Sequence, residues 1–316
     1  MTGGAPEPRV PPPVPPCGGW VVDKPAGPTS HDIVAGTRRA LHTRRVGHAG
    51  TLDPAATGVL LVLVGEATKL APYLTGHSKE YAVRVRFGVA TDTLDAAGAI
   101  VETSDLPATW LDSVDLDAAL AGERARTAQV PPDFSAVRVG GVRAHRAARA
   151  GEPLALGARA VTVYGLELVG SAGLEVDLLV TASKGYYVRA LARDLGARLG
   201  APAHVVTLRR LASGPFGLAE AIAWPPVGAP PLLPLAALAA RALPSARLVA
   251  DAVARARDGK RLVAADFEVA PPPGAAAWTS GDGQLVAIGE ATPDGYRVLR
   301  GFTAAGAAAP PDGATD

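Results

Sequence analysis

The chain has 316 residues, of which 48% are hydrophobic and 19% are charged, and its formal net charge is +1. This composition supplies enough apolar material for a folded core, and it excludes an intrinsically disordered chain or a fibre. The single cysteine, Cys17, excludes an intrachain disulfide and a zinc site built from several thiolates.

The N-terminal segment, MTGGAPEPRVPPPVPPCGG, lacks the cationic start and apolar core of a signal peptide. No apolar run approaches the roughly 20 residues that a membrane-spanning helix needs. We therefore expect a soluble, cytoplasmic protein. Residues 1–17 are rich in proline and are expected to form a disordered tail.

The first third of the chain predicts strands and a helix in alternation. GWVVDKPAG predicts a buried strand that ends at Lys24, and Thr29 or Ser30 can cap a helix through HDIVAGTRRAL. The apolar run GVLLVLV has the length of a buried strand. EYAVRVRFG alternates apolar and polar residues, which predicts a half-buried strand.

The middle of the chain predicts further strands and helices. LDSVDLDAALAG predicts a helix that ends at Gly122, and VTVYGLELV and GLEVDLLVTA predict a strand pair. Tyr187, Leu191, Leu195 and Leu199 recur every four residues, as on one face of a helix. HVVTLRRLA predicts another strand. Because predicted strands are often adjacent in sequence, we expect an α+β fold with a mixed, largely antiparallel sheet flanked by helices.

The composition changes after residue 224, where proline and alanine dominate. This segment is interpreted as a linker over residues 226–243, after a main domain over residues 18–225. A helix ending at Gly259 and the short strands AAAWTS, QLVAIGEA and YRVLRGF predict a small β-rich domain over residues 244–304. Residues 305–316 are expected to be a disordered tail.

Arginines are concentrated in three segments of the sequence. Such clusters suit a basic groove for a polyanion, but each is equally consistent with a solvated helix face. The three sets are Arg38, Arg39, Arg44 and Arg45; Arg138, Arg143, Arg146 and Arg149; and Arg189, Arg193, Arg198, Arg209 and Arg210.

Common nucleotide and metal motifs are absent from the sequence. It contains neither GxxxxGK[ST] nor a strand followed by GxGxxG nor HExxH, and its histidines show no metal-ligand spacing. The chain is therefore either an enzyme without metal or nucleotide, or not an enzyme.

Asp53 lies in the segment RRVGHAGTLDPAATGVLLVLV. An aspartate before proline is a common turn residue, because its side chain accepts a backbone hydrogen bond. The flanking Gly47, Gly50 and Gly58 also permit another group to approach the backbone closely, and a carboxylate there could act as a nucleophile. The residues alone leave both interpretations open.

Five segments, in order, resemble the motifs of the TruB family of tRNA pseudouridine synthases, and together they span residues 18–217. The segments are VVDKPAGPTSHDIV, RRVGHAGTLDPAATGVLLVLVGEATK, KEYAVRVRFGVATDTLDAAG, PPDFSAVRVGGVRAHRAARAG and SKGYYVRALARDLGARLGAPAHVVTLRRLASGPF. The resemblance implies the pseudouridine-synthase fold and a PUA-like RNA-binding domain at the C-terminus.

The resemblance also implies a role for particular residues. Asp53 would attack the target uridine, and Arg189 would form a salt bridge to it. The other implied roles are RNA contact by His48, stacking on the uracil by Tyr81, lining of the pocket by Tyr187, a uracil contact by Leu208 and support of the Asp53 loop by Lys24. By residue type alone, Tyr81, Tyr187 and Leu208 would be core residues and Arg189 a surface charge.

The implied activity is the isomerisation of uridine 55 in the TΨC loop of tRNA to pseudouridine, after the base is flipped out of its stack. This redox-neutral reaction implies no cofactor and no metal. The implied partner is the TΨC stem-loop, with no membrane, no obligate protein partner and a monomeric state. The alternatives are a non-catalytic tRNA-binding or folding chaperone with the same fold, and a guide-RNA-dependent relative.

Overall fold

A computed structural model describes residues 15–226 and 228–303 of the chain. The strands and helices before the third helix are β1 (Gly18–Lys24), α1 (Ser30–Ala40), β2 (Val46–Ala49), β3 (Thr57–Val64), α2 (Ala71–Thr75), β4 (Lys79–Phe87), β5 (Val89–Thr91) and β6 (Ile100–Thr103). The next group is α3 (Leu116–Arg124), β7 (Ala128–Gln129), β8 (Arg138–Val139), β9 (Val142–Arg143), α4 (Ala144–Arg149), β10 (Arg159–Ala160), β11 (Val163–Ala172) and β12 (Glu175–Ala182).

The remaining elements close the main sheet and build the C-terminal part. They are α5 (Val188–Leu199), β13 (Ala203–Ser213), β14 (Phe216–Gly217), β15 (Ile222–Ala223), α6 (Leu235–Ala242), β16 (Ser245–Leu248), α7 (Ala252–Arg257), β17 (Phe267–Val269), β18 (Ala275–Thr279), β19 (Leu285–Thr292) and β20 (Gly295–Gly301). No described helix is long and apolar enough to cross a membrane.

The main sheet has nine strands in the order β11-β12-β4-β13-β3-β1-β15, with β14 paired to β13 and β2 paired to β3. Only the β13–β3 and β1–β15 pairs of this sheet are parallel among the described residues. Helices lie on both sides of the sheet. The predicted α+β fold with a mixed, largely antiparallel sheet is confirmed.

Strand β3 lies at the centre of the core. Val59, Leu61 and Leu63 pack with Leu70 and Leu74 on one side of the sheet. Leu60, Val62 and Val64 pack on the other side, against a cluster that includes Ile33 and Val34 of α1. A strand buried on both faces has a continuous apolar sequence rather than an alternating one, as GVLLVLV has.

Helix α1 begins with a capping box formed by Thr29 and Asp32. The Thr29 side chain accepts a hydrogen bond from the Asp32 amide, and the Asp32 carboxylate accepts one from the Thr29 amide. Ser30, the alternative cap, has a different function. Its hydroxyl accepts from the Leu52 amide at 2.9 Å and donates to the Leu52 carbonyl at 3.1 Å, which fixes the residue before Asp53.

Two predicted helix positions were wrong. Helix α3 begins only at Leu116, where Asp115 caps it, and it continues through Gly122 to Arg124. Tyr187 precedes α5 rather than lying on its face, since its backbone is extended at φ −108° and ψ 112°. The four-residue spacing therefore begins at Tyr187, one residue before the helix itself begins.

The C-terminal part forms a five-stranded sheet in the order β17-β16-β18-β19-β20, which confirms the predicted β-rich domain. Trp278 is fully buried beside Phe267 and Tyr296. Within the predicted linker, residues 235–242 form α6, whose Leu238 and Ala239 pack in one cluster with core residues of both sheets. The domain boundaries remain predictions, and most of both predicted tails lies outside the described residues.

The two ends of the described chain meet beside the segment that follows β3. Gly65 approaches Pro16 so closely that an added Cβ would lie 2.6 Å from the Pro16 carbonyl oxygen. The Glu66 carboxylate accepts a hydrogen bond from the Thr303 amide at 3.3 Å. Lys69 pairs with Glu66 at 2.6 Å and donates to the Gly301 carbonyl at 2.8 Å. This segment therefore fastens the C-terminal sheet to β3.

We predict that Gly58→Ala lowers the free energy of unfolding by at least about 2 kcal/mol. Gly58 has φ +100°, and an added Cβ would lie 2.1 Å from the Arg210 carbonyl oxygen of the paired strand. Urea unfolding followed by circular dichroism measures the change. The matched control is Gly165→Ala, whose Cβ would lie 3.9 Å from Thr181 Cβ; it should stay within about 0.5 kcal/mol of wild type. Equal effects of the two substitutions would contradict the prediction.

Candidate active site

Asp53 lies in the loop over residues 50–56, which joins β2 to β3. The Asp53 carbonyl accepts a hydrogen bond from the Ala56 amide at 3.1 Å, which closes a turn at Pro54. The Asp53 side chain keeps 38% of its surface exposed. The turn interpretation and the reactive interpretation of Asp53 are therefore compatible, because the turn presents the carboxylate to solvent.

Lys24 supports this loop from inside the protein. It is completely buried, and its Nζ donates to the carbonyls of Pro25 and Pro28 at 2.8 Å and of Pro54 at 3.2 Å. Burial lowers the pKa of Lys24 to about 8, and the nearby Asp53 charge opposes this shift. The structure thus places Lys24 directly under the residue that follows Asp53.

Arg210 supports the same loop from β13, although the sequence marked it only as part of a basic cluster. It is 1% exposed and donates to the Val59 carbonyl at 2.6 Å, to the Gly50 carbonyl at 3.0 Å and, more weakly, to the Thr51 carbonyl at 3.4 Å. No described carboxylate forms a salt bridge with it. Arg210 therefore acts through backbone carbonyls, the groups that must be satisfied when a loop is buried.

Arg189 joins three loops at the start of α5. Its Nε donates to Asp53 Oδ2 at 2.8 Å, its Nη1 to the Thr93 carbonyl at 2.7 Å and its Nη2 to the Phe134 carbonyl at 2.9 Å. The residue is only 6% exposed, so it is not a surface charge. Asp53 Oδ1 accepts no hydrogen bond from any described residue, and this oxygen is available to another group.

A second carboxylate, Asp95, lies behind Arg189. Its Oδ2 is 3.7 Å from Arg189 Nε, and its Oδ1 accepts from the Thr93 hydroxyl at 2.7 Å and the Ala97 amide at 3.1 Å. Sequence reasoning quoted the TDTLDAAG motif but gave Asp95 no role. Its two local hydrogen bonds orient one oxygen toward the arginine.

Tyr187 lies beside the Asp53–Arg189 pair. Burial raises the pKa of Tyr187, and the nearby Asp53 carboxylate acts in the same direction. Tyr81 and Leu208 pack partly buried where two core clusters meet. Tyr81 is the strand partner of Arg210, so it lies next to the base of the Asp53 loop. An aromatic ring and an aliphatic side chain there offer apolar contact to a flat ligand.

His48 lies on β2, two residues before the loop that carries Asp53. Its ring meets the ring of His31 edge to face, with centroids 5.5 Å apart. Burial lowers the pKa of His48, and the charges of His31 and Arg210 act in the same direction. These effects favour the neutral imidazole, which can donate one hydrogen bond and accept another.

The three arginine clusters have different surroundings. The residues of the first two clusters are exposed, whereas Arg189 and Arg210 of the third are buried. The third cluster therefore is not a surface groove, because two of its members support the Asp53 site. Among the described residues, no group of histidines, cysteines and carboxylates could hold a metal ion.

Comparison with known protein families gives two matches that adjoin in the sequence. Residues 38–188 match the TruB family pseudouridylate synthase N-terminal domain, and residues 189–225 match the tRNA pseudouridylate synthase B C-terminal domain. The tRNA pseudouridine synthase B of Thermobifida fusca is 48% identical over 77% of this chain and 85% of its own. The enzyme of the same name from Cereibacter sphaeroides is 44% identical over 86% of this chain and 91% of its own.

Solved structures show the same fold. A chain of a Cbf5–Nop10–Gar1 complex aligns with a TM-score of 0.67 and 27% identity, over 87% of this chain and 78% of its own. A chain of the archaeal box H/ACA sRNP Nop10–Cbf5 complex aligns with a TM-score of 0.66 and 24% identity, over 92% of this chain and 87% of its own.

We predict that Arg210→Lys speeds amide hydrogen exchange in residues 50–56 by at least about tenfold. Lysine keeps the charge but cannot reach Val59, Gly50 and Thr51 together, and a hydrogen bond to a charged group is worth about 1.5–3 kcal/mol. Mass spectrometry of exchanged peptides measures the rates. The control is Arg209→Lys, because Arg209 is 40% exposed and pairs with Asp23 instead. Unchanged exchange rates for residues 50–56 in Arg210→Lys would contradict the support that we assign to Arg210.

Proposed function

Given that the chain belongs to the TruB family of pseudouridine synthases, we propose that it converts uridine 55 in the TΨC loop of tRNA to pseudouridine, with Asp53 as the attacking group. One observation supports the role of Asp53 above all others. The buried Arg189 guanidinium binds one oxygen of a carboxylate that is otherwise exposed. This ion pair fixes the direction of the carboxylate, and its second oxygen accepts no hydrogen bond from any described residue, so that oxygen could attack a substrate.

The proposed reaction breaks the N1–C1′ bond of the uridine, turns the uracil and forms a C5–C1′ bond. A proton leaves C5 and N1 gains one, so electrons balance without an oxidant or a reductant. The uridine must first leave its stack to reach Asp53. Tyr81 and Tyr187 would hold the flipped base by stacking and apolar contact, Leu208 would contact its edge and His48 would contact the neighbouring RNA.

Exposed arginines would hold the tRNA backbone around this site. One set lies at the end of α1 and before β2, and the other lies on the β8–β9 hairpin and α4. Contacts of this kind bind phosphates without reading sequence, and they weaken as salt rises. We propose residues 18–225 as the catalytic domain, residues 226–243 as the linker and residues 244–304 as a PUA-like RNA-binding domain.

We further propose that the enzyme works as a cytoplasmic monomer without an obligate protein partner. Asp53, Arg189 and Tyr187 all come from one chain, so the site needs no second copy. A guide-RNA-dependent function is the less favoured alternative, because identity to the tRNA enzymes, at 44% and 48%, far exceeds the 24% and 27% to the Cbf5 chains. A non-catalytic chaperone with the same fold is the other alternative, and it would bind tRNA without isomerising the uridine.

We predict that Asp53→Asn abolishes tritium release from tRNA labelled at uridine C5 while tRNA affinity stays within about threefold. The asparagine keeps the size of the side chain but removes the nucleophile, so the rate should fall at least about a thousandfold. Asp112→Asn, an exposed aspartate elsewhere, should behave as wild type. A tRNA with cytidine at position 55 should release nothing. If the wild-type protein binds tRNA but releases no tritium, the result would support the chaperone alternative.

We also predict that Arg189→Ala slows the single-turnover rate at saturating tRNA by at least about a hundredfold and weakens tRNA binding far less. The substitution removes the guanidinium that holds the Asp53 carboxylate, but Arg189 is only 6% exposed, so it offers little surface for direct contact with tRNA. Arg193→Ala, one turn further along α5, is the control. A rate and a tRNA affinity that fall by the same factor would contradict the role assigned to Arg189.

A further inference from the structure

The side chain of Gln129 holds the backbone of Tyr187 by two hydrogen bonds. Gln129 Oε1 accepts from the Tyr187 amide at 2.8 Å, and Gln129 Nε2 donates to the Tyr187 carbonyl at 3.2 Å. The side-chain amide thus pairs with both polar groups of one residue, as a neighbouring strand would. Gln129 is 2% exposed, so water does not compete for these bonds.

Gln129 is itself held in a fixed place. It lies on β7 and pairs with Arg159 of β10. It also begins the segment that reaches Phe134, whose carbonyl accepts from Arg189. Residues 129–134 therefore contact the start of α5 at two points, Tyr187 and Arg189, and these two residues stand beside Asp53.

The backbone of Tyr187 needs such support. Tyr187 is the extended residue before α5, and no side chain caps the helix at this position. Its carbonyl accepts the first helical hydrogen bond, from Leu191 at 3.2 Å, together with the bond from Gln129. A rotation of this peptide unit would move the Tyr187 ring and would shift Arg189, two residues later, relative to Asp53.

We propose that Gln129 is a positioning residue for the reaction. It fixes the peptide groups of Tyr187, and thereby the places of the Tyr187 ring and the Arg189 guanidinium relative to Asp53. This inference rests on the proposed function. Loss of the paired hydrogen bonds lowers the rate of isomerisation and leaves tRNA affinity nearly unchanged, because the buried Gln129 offers almost no surface for direct contact with tRNA.

Glutamate at position 129 offers a reversible test of this pair. A neutral carboxylic acid has the shape of the glutamine amide, and it can accept from the Tyr187 amide and donate to the Tyr187 carbonyl. The ionised carboxylate can only accept, and it places a negative oxygen against the carbonyl. Burial favours the neutral acid, so activity lost at high pH should return as the pH falls.

Other charged groups around Gln129 also enter the pH profile. They are Glu123 and Arg126 from the end of α3 and the turn after it, Arg159 from β10, Tyr187 before α5, and Arg193 and Asp194 in the middle of α5. Wild type and Gln129→Glu share all of these groups. The ratio of the two rates at each pH therefore isolates residue 129.

The experiment measures single-turnover tritium release at saturating C5-labelled tRNA between pH 6 and pH 8.5. We expect the rate of Gln129→Glu relative to wild type to be at least about tenfold lower at pH 8.5 than at pH 6. Gln284→Glu, at the other glutamine of the chain, should give a ratio that does not change with pH. Gln129→Met, which has similar length but no amide, should lose rate equally at every pH.

Dissociation constants for tRNA and thermal unfolding curves, measured at each pH, separate positioning from a purely structural role. We expect folded Gln129→Glu that binds tRNA within about threefold of wild type. A flat rate ratio, or a rate that follows affinity or the folded fraction, would overturn the inference. Inactive wild type would contradict the proposed function and this inference together, whereas active wild type with a flat ratio contradicts the inference alone.

Discussion

The arrangement of the site follows from the burial of one charge, that of Arg189. A buried guanidinium is tolerated only when its charge and its N–H groups are satisfied, because an unpaired buried charge costs several kcal/mol. Asp53 and, at 3.7 Å, Asp95 supply negative charge, and the Thr93 and Phe134 carbonyls accept two further hydrogen bonds. Three loops that are far apart in sequence must therefore meet at one point. The carboxylate that completes the fold here is the same one that we propose for the chemistry.

Two other buried cations support the Asp53 loop, and neither forms a salt bridge with a described carboxylate. Lys24 and Arg210 are buried, and each donates only to backbone carbonyls. Lys24 binds one carbonyl of the loop, that of Pro54, and two in the segment after β1, whereas Arg210 binds the Gly50 and Thr51 carbonyls of the loop and one in β3. Backbone dipoles, rather than carboxylates, satisfy these two charges. As a result, neither cation competes with Arg189 for a hydrogen bond to Asp53. Hydrogen bonds thus hold the backbone carbonyls of the loop, while the Asp53 side chain stays 38% exposed and one of its oxygens accepts no hydrogen bond from any described residue.

Local patterns predicted the strands and the first helix well, because period and capping depend on neighbours in sequence. GVLLVLV indicated β3, and Thr29 indicated the start of α1. Asp53 became more than a turn residue only through the resemblance to a family, since a Leu-Asp-Pro turn looks the same in either role. The segment around α6 looked like a linker by composition, but Leu238 is buried between the sheets. The partners of Arg189 and Gln129 lie 55 or more residues away, and no local pattern could indicate them.

The contacts at Gly65 and Glu66 bring the first and last described residues of the chain close together. The chain enters the core beside Gly65 and returns to Glu66 at Thr303, so its two described ends are neighbours. This junction lies at the opposite end of β3 from the Asp53 loop, and a strand of eight residues is about 23 Å long. A circular permutant that joins these ends and opens the chain at an exposed turn away from the site would keep the hydrogen bonds of Lys24, Arg189 and Arg210 to the Asp53 loop.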